Sequence, residues 1–380
     1  MAFQVPFVDP RKHYRSLKPL IDSAIEDCLS NGDLIDRHHL REFEEHLAAY
    51  VGVKFAIGVS SGYHALELTL RAADIGPGDQ VITVAHTFLA TISAIVNVGA
   101  RPVLVDVSGD YNMDPAAFEA AITKKTKAVI PVSLNGRSCQ MDRILAIANA
   151  RGIRVIEDAA QALGAAFGQR NCGSFGLAGA LSCFPFKLLG GFGDGGVVTT
   201  NDTELARKIR LLRYNGEDRK TGEYHFHGVS GLMDNVQSAV LDVKLKFLPK
   251  WIEHRRASAG LYREGLQDVD GLQLPHFDET NQRDAFQNYV VRTKDRDCLR
   301  AHLTSRGIET LIHWPRPVWQ NPGLRLDNPG LPETEKICRE VISLPMSAET
   351  TADQVEIVTA AIRDFYRVSP LVKASAGRAC

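Results

Sequence analysis

Val155-Ile156-Glu157-Asp158-Ala159-Ala160-Gln161 is an apolar strand that ends in two carboxylates and then passes into small residues. The carboxyl ends of parallel strands are where α/β proteins bind their ligands. This stretch therefore predicts a buried strand with a candidate site at its end, centred on Glu157 and Asp158. The alternative is that these acids only cap the helix that follows.

Seven short β-branched runs, of which this strand is one, alternate with helical patterns along the first 200 residues. They are Ala56–Ser60, Gln80–Val84, Val103–Val107, Ala128–Val132, Ile153–Glu157, Ala180–Phe184 and Val197–Thr200. Strands that alternate with helices form a largely parallel sheet with both faces covered. We therefore predict an α/β fold with a mainly parallel seven-stranded sheet flanked by helices.

After Asp234 the alternation of strands and helices gives way to a long helical pattern. Pro249 lies within this pattern and should kink or end the helix. Fewer strands follow. The later predicted elements are strands at Gln287–Val291 and Ile308–Ile312 and helices at Glu333–Val341 and Thr351–Phe365. We predict a large domain at 1–250, whose segment 1–35 packs near the small domain or the active site, and a smaller α+β domain at 251–380.

Composition excludes several classes of protein. The 380 residues carry 44 Lys and Arg against 45 Asp and Glu, a net charge of −1, which argues against binding nucleic acid through overall charge. The uncharged stretch Val81–Ala100 is long enough to suggest a membrane-spanning helix. It contains polar residues, however, and is better explained as a strand that runs into a helix. Seven scattered cysteines without a CxxC pair indicate a reducing cytoplasm. We expect a cytoplasmic protein without nucleic-acid, membrane or metal partners.

Lys187 ends an apolar segment and is followed by a glycine-rich loop. Burial of a lysine cation is unfavourable, so the pKa of such a lysine falls and its amine becomes a nucleophile for Schiff-base chemistry. The alternative is a side chain that reaches solvent from a strand end. The loop itself contains Gly191-x-Gly193-x-x-Gly196, which resembles a dinucleotide fingerprint. Because these glycines lead into the strand-like Val197–Thr200 and not into a helix, we reject a nicotinamide site.

Three further features fit the same chemistry. A buried Asp158 would pair with a ring nitrogen and keep it protonated. The helix start after Ser60-Ser61-Gly62-Tyr63 offers backbone amides to a phosphate, although a simple helix cap would look the same. Phe88 follows a strand and could stack on a flat ring, although most aromatics in such places belong to the core. Amine, ring-nitrogen partner, phosphate cradle and ring platform together are the set that pyridoxal phosphate (PLP) requires.

The sequence resembles the DegT/StrS family of PLP-dependent sugar aminotransferases, which have the aspartate-aminotransferase fold, fold type I. The similarity extends through nearly the whole chain, with several motifs in the same order. These motifs are Val5–Asp9, Gly58–Gly62, Gly76–Asp79, Glu157–Gln161, Lys187 with Gly193–Gly196, and Ser343–Met346.

The resemblance implies a role for each matching residue. Lys187 would form the Schiff base with the cofactor, Asp158 would pair with the pyridinium nitrogen, and Gln161 would contact the ring hydroxyl. The remaining implied contacts are phosphate binding by the amides of Gly62 and Tyr63 and the hydroxyl of Ser182, and ring stacking by Phe88.

Two of the departures from the family pattern concern the phosphate. Tyr63 replaces a threonine, so a hydroxyl contact to the phosphate is not expected there, although the amide remains. Ser230 stands where the neighbouring subunit of relatives contributes an asparagine to the phosphate, which would weaken that contact. The resemblance also implies a homodimer with shared active sites.

The implied activity is transfer of an amino group from glutamate or glutamine to a keto sugar, nucleotide-linked or a keto cyclitol. Candidate substrate contacts are Asp33, His39, His313 and Trp314, for which ordinary structural roles are the alternative. Two other functions stay open. A PLP-dependent keto-sugar dehydratase is disfavoured by Lys187, since histidine usually replaces the lysine in such relatives. A non-catalytic regulator or sugar-sensing protein could keep the same fold.

Overall fold

The computed structural model describes residues 3–277 and 280–373, with side chains described up to residue 367. Within these residues the α-helices are α1 (Pro10–Ser30), α2 (His38–Val51), α3 (Gly62–Ala72), α4 (Leu89–Asn97), α5 (Pro115–Ala120), α6 (Met141–Ala150), α7 (Thr203–Leu212), α8 (Asn235–Leu245), α9 (Leu248–Leu266), α10 (Arg296–Ser305), α11 (Pro332–Glu340) and α12 (Ala352–Lys373). The strands are β1 (Phe55–Val59), β2 (Gln80–Val84), β3 (Arg101–Val105), β4 (Thr126–Ile130), β5 (Arg154–Asp158), β6 (Ala166–Phe167), β7 (Arg170–Asn171), β8 (Ala178–Ser182), β9 (Gly196–Thr200), β10 (Glu217–Asp218), β11 (Glu223–Tyr224), β12 (Gln282–Arg283), β13 (Tyr289–Arg292) and β14 (Val341–Leu344).

Seven strands form one central sheet in the order β1-β9-β8-β5-β4-β2-β3. β9 runs antiparallel to both of its neighbours, and the other adjacent strands pair in parallel. Each of the seven predicted runs overlaps one of these strands. The predicted mainly parallel seven-stranded sheet is therefore confirmed, including the strand Val155–Asp158 near its middle.

Helices cover both faces of this sheet, which explains why its strands are apolar on both sides. Successive residues of a strand face opposite layers of helices. In β2, Val81 packs in the core that the sheet forms with α3, α4 and α7. The next residue, Ile82, packs in the core that the sheet forms with α5 and α6. On the same side as Ile82, Val197 packs in a further cluster with residues of α2 and α8. Because β2, β5 and β8 run parallel to one another in this sheet, their carboxyl ends lie at the same edge.

The long helical pattern after Asp234 is interrupted, as predicted near Pro249. α8 ends at Leu245, and Pro249 lies in the first turn of α9, where a missing N–H removes no helical hydrogen bond. The start of α9 packs on the sheet through Ile252, whereas its later residue Tyr262 belongs to a separate core with β13, β14, α10 and α12. The division into domains at residue 250 stays a prediction.

The C-terminal elements agree with the sequence except at one segment. β13, α11 and α12 correspond to the predicted strand and two helices. The predicted strand Ile308–Ile312 is wrong, since this segment forms only single bridges, from Ile308 to Val5 and from Leu311 to Ser343. Its backbone pairs with two different segments in succession, so no continuous ladder forms. No described helix has the length and apolarity that a bilayer crossing requires.

Candidate active site

The two carboxylates at the end of β5 point to opposite faces of the strand and have different partners. Glu157 accepts hydrogen bonds from the backbone N–H of Gly173 (3.0 Å) and of Phe175 (2.5 Å). Burial raises the pKa of Glu157 to about 8. Glu157 therefore fixes the turn between β7 and β8, and Asp158 is left as the carboxylate of the candidate site.

Asp158 is buried and held in one orientation. Its Oδ2 accepts a hydrogen bond from Thr91 Oγ1 (2.7 Å), and its Oδ1 accepts one from the N–H of Ala160 (3.2 Å). Burial raises the pKa of Asp158, while these two donors and the charge of Lys187 lower it. Thr91 lies in the first turn of α4, where its hydroxyl is also 2.9 Å from that of Thr87. Thr91 has no local sequence pattern that marks it as a partner of Asp158.

Lys187 lies in the loop after β8, and the structure brings it into electrostatic contact with Asp158. The side chain is half-buried. Burial lowers the pKa of Lys187, and the nearby Asp158 carboxylate raises it. No residue in the described ranges makes a hydrogen bond or ion pair with its Nζ. This amine is thus available for covalent chemistry, as the sequence predicts.

α8 fixes the glycine loop that follows Lys187. The buried Lys244 donates a hydrogen bond from Nζ to the carbonyl oxygen of Gly190 (2.6 Å), and Gln237 Oε1 accepts one from the N–H of Phe192 (2.9 Å). Burial lowers the pKa of Lys244 to about 8. Two hydrogen bonds therefore attach the loop to α8, one at the residue before Gly191 and one at the residue after it. They restrict the positions that Lys187 can occupy.

The N-terminus of α3 forms a cradle against the end of β8. Ser61 caps this helix by accepting a hydrogen bond from the N–H of His64 (3.1 Å), and no described residue accepts one from the N–H of Gly62 or Tyr63. A Cβ atom at Gly62 would lie 2.9 Å from Ser182 Cβ, so the helix start and Ser182 are in contact. Free amides at a helix N-terminus bind phosphate.

Tyr63 does not direct its hydroxyl toward other members of this cradle. The hydroxyl accepts a hydrogen bond from Asn97 Nδ2 (2.7 Å) on α4. The hydroxyl is therefore engaged away from the cradle, and a phosphate contact through the backbone amide of Tyr63 stays a prediction.

The last glycine of the loop, Gly196, opens strand β9 and not a helix, as the sequence predicts. A Cβ atom there would lie 2.2 Å from the carbonyl oxygen of Ser61 and 2.6 Å from the nitrogen of Gly62. Glycine at this position is required by direct backbone contact with the turn before α3.

Gln161 is buried close to the end of β5. Its Oε1 accepts hydrogen bonds from the N–H of Asn135 (3.0 Å) and from Asn288 Nδ2 (3.4 Å). Asn135 has a positive φ of 57°, a conformation that asparagine tolerates well. The side-chain oxygen is thus occupied, and the side-chain NH₂ of Gln161 is the group left to donate. Neither asparagine was identified from the sequence.

Phe88 and Ser230 are both exposed in the single chain. Phe88 precedes α4 and is 63% exposed, which rejects the alternative that it belongs to the core. Ser230 pairs through its backbone with Tyr214, and its side chain faces outward. Their contacts with a cofactor ring and with a neighbouring subunit's phosphate stay predictions.

The four candidate substrate residues separate into two pairs. His313 Nδ1 lies 2.9 Å from Ser343 Oγ, and burial, reinforced by the charge of Lys187, lowers its pKa to about 4. Trp314 packs edge-on against His86, with ring centroids 5.1 Å apart. His313 and Trp314 therefore lie on the Lys187 side of the molecule, directly after the segment Ile308–Ile312, which does not form the predicted strand.

Asp33 and His39 form a different group at the end of α1 and the start of α2. Asp33 pairs with His38, and His39 Nε2 lies 3.0 Å from Asp27 Oδ2. No described contact joins either residue to Lys187 or Asp158. Their assignment to a substrate site stays a prediction without structural support.

We expect the buried His86 to make the protein less stable in acid. Burial lowers its pKa from the ordinary 6.5 to about 3, so between these values the unfolded chain binds a proton that the folded chain does not. The free energy of unfolding attributable to His86 should therefore fall by about 2 kcal/mol between pH 7.5 and pH 5.

Denaturant titrations of His86→Phe at both pH values test this expectation. The loss of stability on acidification should be about 2 kcal/mol smaller in the variant than in the native chain. His227→Phe is the control, because the His227 side chain is exposed in the fold. Equal losses in the native chain and in His86→Phe would contradict the prediction.

These residues fit a phosphorylated pyridine aldehyde. The site offers an unpaired amine at Lys187, a buried carboxylate at Asp158 and two free helix amides beside Ser182. The side-chain NH₂ of Gln161 adds a donor for a ring oxygen. Each group matches one functional part of PLP.

Comparisons with known proteins agree with this chemistry. A relative from Geobacillus stearothermophilus named a pleiotropic regulatory protein is 40% identical over 96% of this chain and 99% of its own. The dTDP-3-amino-3,4,6-trideoxy-alpha-D-glucose transaminase of Streptomyces venezuelae is 39% identical over 95% of this chain and 96% of its own.

The fold has a similarly close counterpart among solved structures. The crystal structure of S. venezuelae DesV in complex with a ketimine intermediate superimposes with a TM-score of 0.93, at 38% identity, over 96% of this chain and 99% of DesV. This agreement confirms the predicted fold class. The family model of the DegT/DnrJ/EryC1/StrS aminotransferases matches residues 16–363, and the chain therefore belongs to that family.

Proposed function

We propose that the protein is a PLP-dependent aminotransferase that moves an amino group from glutamate or glutamine to a keto sugar, most simply a nucleotide-linked one. The observation that carries this proposal is the unpaired amine of Lys187 beside the buried, hydrogen-bonded carboxylate of Asp158. Family membership and a 39%-identical relative named as a sugar transaminase support it.

When bound, PLP supplies an aldehyde that exchanges amines and a ring that takes up the electron pair released at the substrate carbon. Lys187 Nζ accepts the proton from the donor's α-carbon and later returns one as a general acid. Asp158 would keep a proton on the ring nitrogen. Because one site serves both substrates in turn, ping-pong kinetics follow.

The other groups position the cofactor. The N–H groups of Gly62 and Tyr63 and the hydroxyl of Ser182 would bind its phosphate, and the side-chain NH₂ of Gln161 would donate to the ring hydroxyl. Phe88, exposed in the single chain, would stack on the ring. We further propose a cytoplasmic homodimer in which Ser230 reaches the neighbouring site.

A regulatory role is the second candidate, favoured by the 40%-identical relative named as a regulatory protein. The dehydratase alternative is disfavoured, because Lys187 is present with its amine available. An absorbance spectrum of the PLP-loaded chain separates these functions. A lysine-dependent band near the visible edge that disappears on adding glutamate supports transfer. A colourless protein would favour the regulator.

The acceptor can be found with the same signal. Once the donor has converted the bound cofactor to its aminated form, nucleotide-linked keto sugars are added one at a time. Return of the absorbance band identifies the sugar that accepts the amino group. If no keto sugar restores the band, the proposed acceptor class is wrong.

Removing the hydroxyl of Thr91 should slow the reaction. Thr91→Val deprives Asp158 of a 2.7 Å hydrogen bond. Hydrogen bonds to charged groups contribute about 1.5–3 kcal/mol, so we expect kcat to fall by about 10-fold or more. Thr83→Val is the matched control, since Thr83 is equally buried but donates to the carbonyl of Ile130 in the sheet. Unchanged kcat in Thr91→Val would show that Asp158 does not depend on this contact.

A methyl group at the phosphate cradle should weaken PLP binding. In Gly62→Ala the new Cβ would lie 2.9 Å from Ser182 Cβ, which forces the helix start and β8 apart. We expect the dissociation constant for PLP, measured by fluorescence or dialysis, to rise at least about 10-fold. Gly260→Ala is the control, because a Cβ there meets no atom within 4 Å. PLP binding as tight as in the native chain would contradict the placement of the phosphate.

A further inference from the structure

Three side chains of metal-ligating type meet between the end of α1 and the start of α2. Asp27, His38 and His39 place one donor atom each within 4.8 Å of one another. Asp27 Oδ2 lies 3.0 Å from His39 Nε2 and 3.9 Å from His38 Nε2. Two imidazole nitrogens and one carboxylate oxygen therefore lie close enough together to bind one ion.

A fourth residue orients one of these ligands. The second ring nitrogen of His38, Nδ1, is paired with the carboxylate of Asp33. Asp33 is itself fixed, since its carbonyl oxygen accepts a hydrogen bond from Asn235 Nδ2 (2.9 Å). A histidine that binds a metal through one nitrogen almost always donates its other N–H to such a carboxylate or carbonyl. Asp33 thus turns His38 Nε2 toward Asp27 and His39.

The cluster also contains a polar atom that the protein leaves unsatisfied. His39 Nε2 is buried and has no hydrogen-bond partner among the described residues, although it lies 3.0 Å from Asp27 Oδ2. The contact lacks hydrogen-bond geometry. Buried nitrogens without a partner are rare and unfavourable, and a bound cation would satisfy this one. A cation between His39 and Asp27 would be bound by the lone pair of His39 Nε2, which accepts no hydrogen bond from any described residue.

We propose that Asp27, His38 and His39 bind a divalent transition-metal ion of the Zn²⁺ type. Zinc takes imidazole nitrogen and carboxylate oxygen in a tetrahedral shell, which a water molecule would complete here. Magnesium and calcium prefer shells made only of oxygen and fit this set poorly. The carboxylates of Asp27 and Asp33 balance the charge of the ion.

The position of the site indicates a structural role. Asp27 lies in the last turn of α1, where the negative end of the helix dipole favours a cation, and the histidines lie in the first turn of α2. An ion would tie the two helices together across the loop at residues 31–37. No described contact connects this cluster with Lys187, so the inference is independent of the proposed function.

Calorimetric titration of the chelator-treated, PLP-loaded full chain with ZnCl2 tests the proposal. We expect one ion per chain and a Tm that rises with zinc concentration. His38→Ala, His39→Ala and Asp27→Asn should each weaken zinc binding at least about 10-fold, and Asp33→Asn by about 10–100-fold. His46→Ala, on the same helix but paired with Asp242, should leave binding unchanged.

The variants are first compared with the native chain by circular dichroism, so that misfolding is not read as loss of a ligand. Asp33→Asn keeps the shape of the side chain and serves as the conservative member of the set. Absence of one-to-one zinc binding in the native chain would overturn the proposal. Equal zinc affinity in the native chain, His38→Ala and His39→Ala would also overturn it.

Discussion

Lys187→Ala is expected to abolish turnover and to remove the absorbance band of the PLP-loaded protein. The substitution deletes the amine that forms the Schiff base and the group that moves the substrate proton. Proton transfer by a positioned side chain alone contributes about 10²–10⁴-fold, so we expect kcat to fall by at least about 1,000-fold. The measurements are a steady-state rate with glutamate and a keto sugar, and a spectrum of the loaded chain.

Lys246→Ala provides the control, because Lys246 is an exposed lysine that pairs with Asp242 on α8. Its rate and spectrum should match those of the native chain. Borohydride reduction followed by peptide mass mapping locates the bond directly. The proposed function requires the adduct on the peptide that contains Lys187. An adduct elsewhere, or full activity in Lys187→Ala, would refute it.

Asp158→Asn should produce the second largest effect. The amide keeps the size of the side chain and the hydrogen bond from Thr91 but loses the negative charge that keeps a proton on the ring nitrogen. Removing one preorganised electrostatic contact from an active site lowers kcat by about 10²–10³-fold, and we expect a loss in this range. The loaded protein should still show its lysine-dependent band, because Lys187 is intact.

Glu157→Gln is a closely matched control for this experiment. Glu157 is the adjacent carboxylate on β5, equally buried, but it accepts hydrogen bonds from Gly173 and Phe175 on the other face of the sheet. Glutamine keeps the size of the side chain and removes a buried carboxylate next to Asp158, so Glu157→Gln controls for loss of charge and disturbed packing at the end of β5. We expect a rate within a few-fold of native. Equal rates in Asp158→Asn and the native chain would contradict the role of Asp158.

Local patterns in the sequence predict the sheet well, and they name several residues that the structure brings together at one edge of it. A buried parallel strand is a short apolar run, and such runs are visible without knowledge of the fold. Lys187, Asp158 and Gly62 could be named because each follows or precedes such a run. Their meeting at one edge is a consequence of parallel topology, in which the ends of neighbouring strands lie together.

Contacts between distant segments could not be predicted in this way. Thr91 supports Asp158 across 67 positions, and Asn288 reaches Gln161 across 127. Neither residue has a local pattern that distinguishes it from an ordinary helix or loop residue. The segment Ile308–Ile312 looks like a strand because it is β-branched, but its pairing depends on Val5 and Ser343, which lie far away in the chain.

The proposed zinc site differs from the expectation that the chain binds no metal. The adjacent His38 and His39, eleven and twelve positions after Asp27, are the signal that could have suggested a site. These histidines come close to Asp27 only because the loop at residues 31–37 places the start of α2 beside the end of α1. Residue types alone do not predict the course of this loop.

The contact of Gly196 with Ser61 and Gly62 limits how this enzyme could be re-engineered. Two pieces of the chain more than 130 positions apart touch there through backbone atoms, and any side chain at position 196 would collide with the turn before α3. A segment grafted from a homologue, or a library made for directed evolution, must therefore keep glycine at position 196, whereas residues on either side of it can be varied.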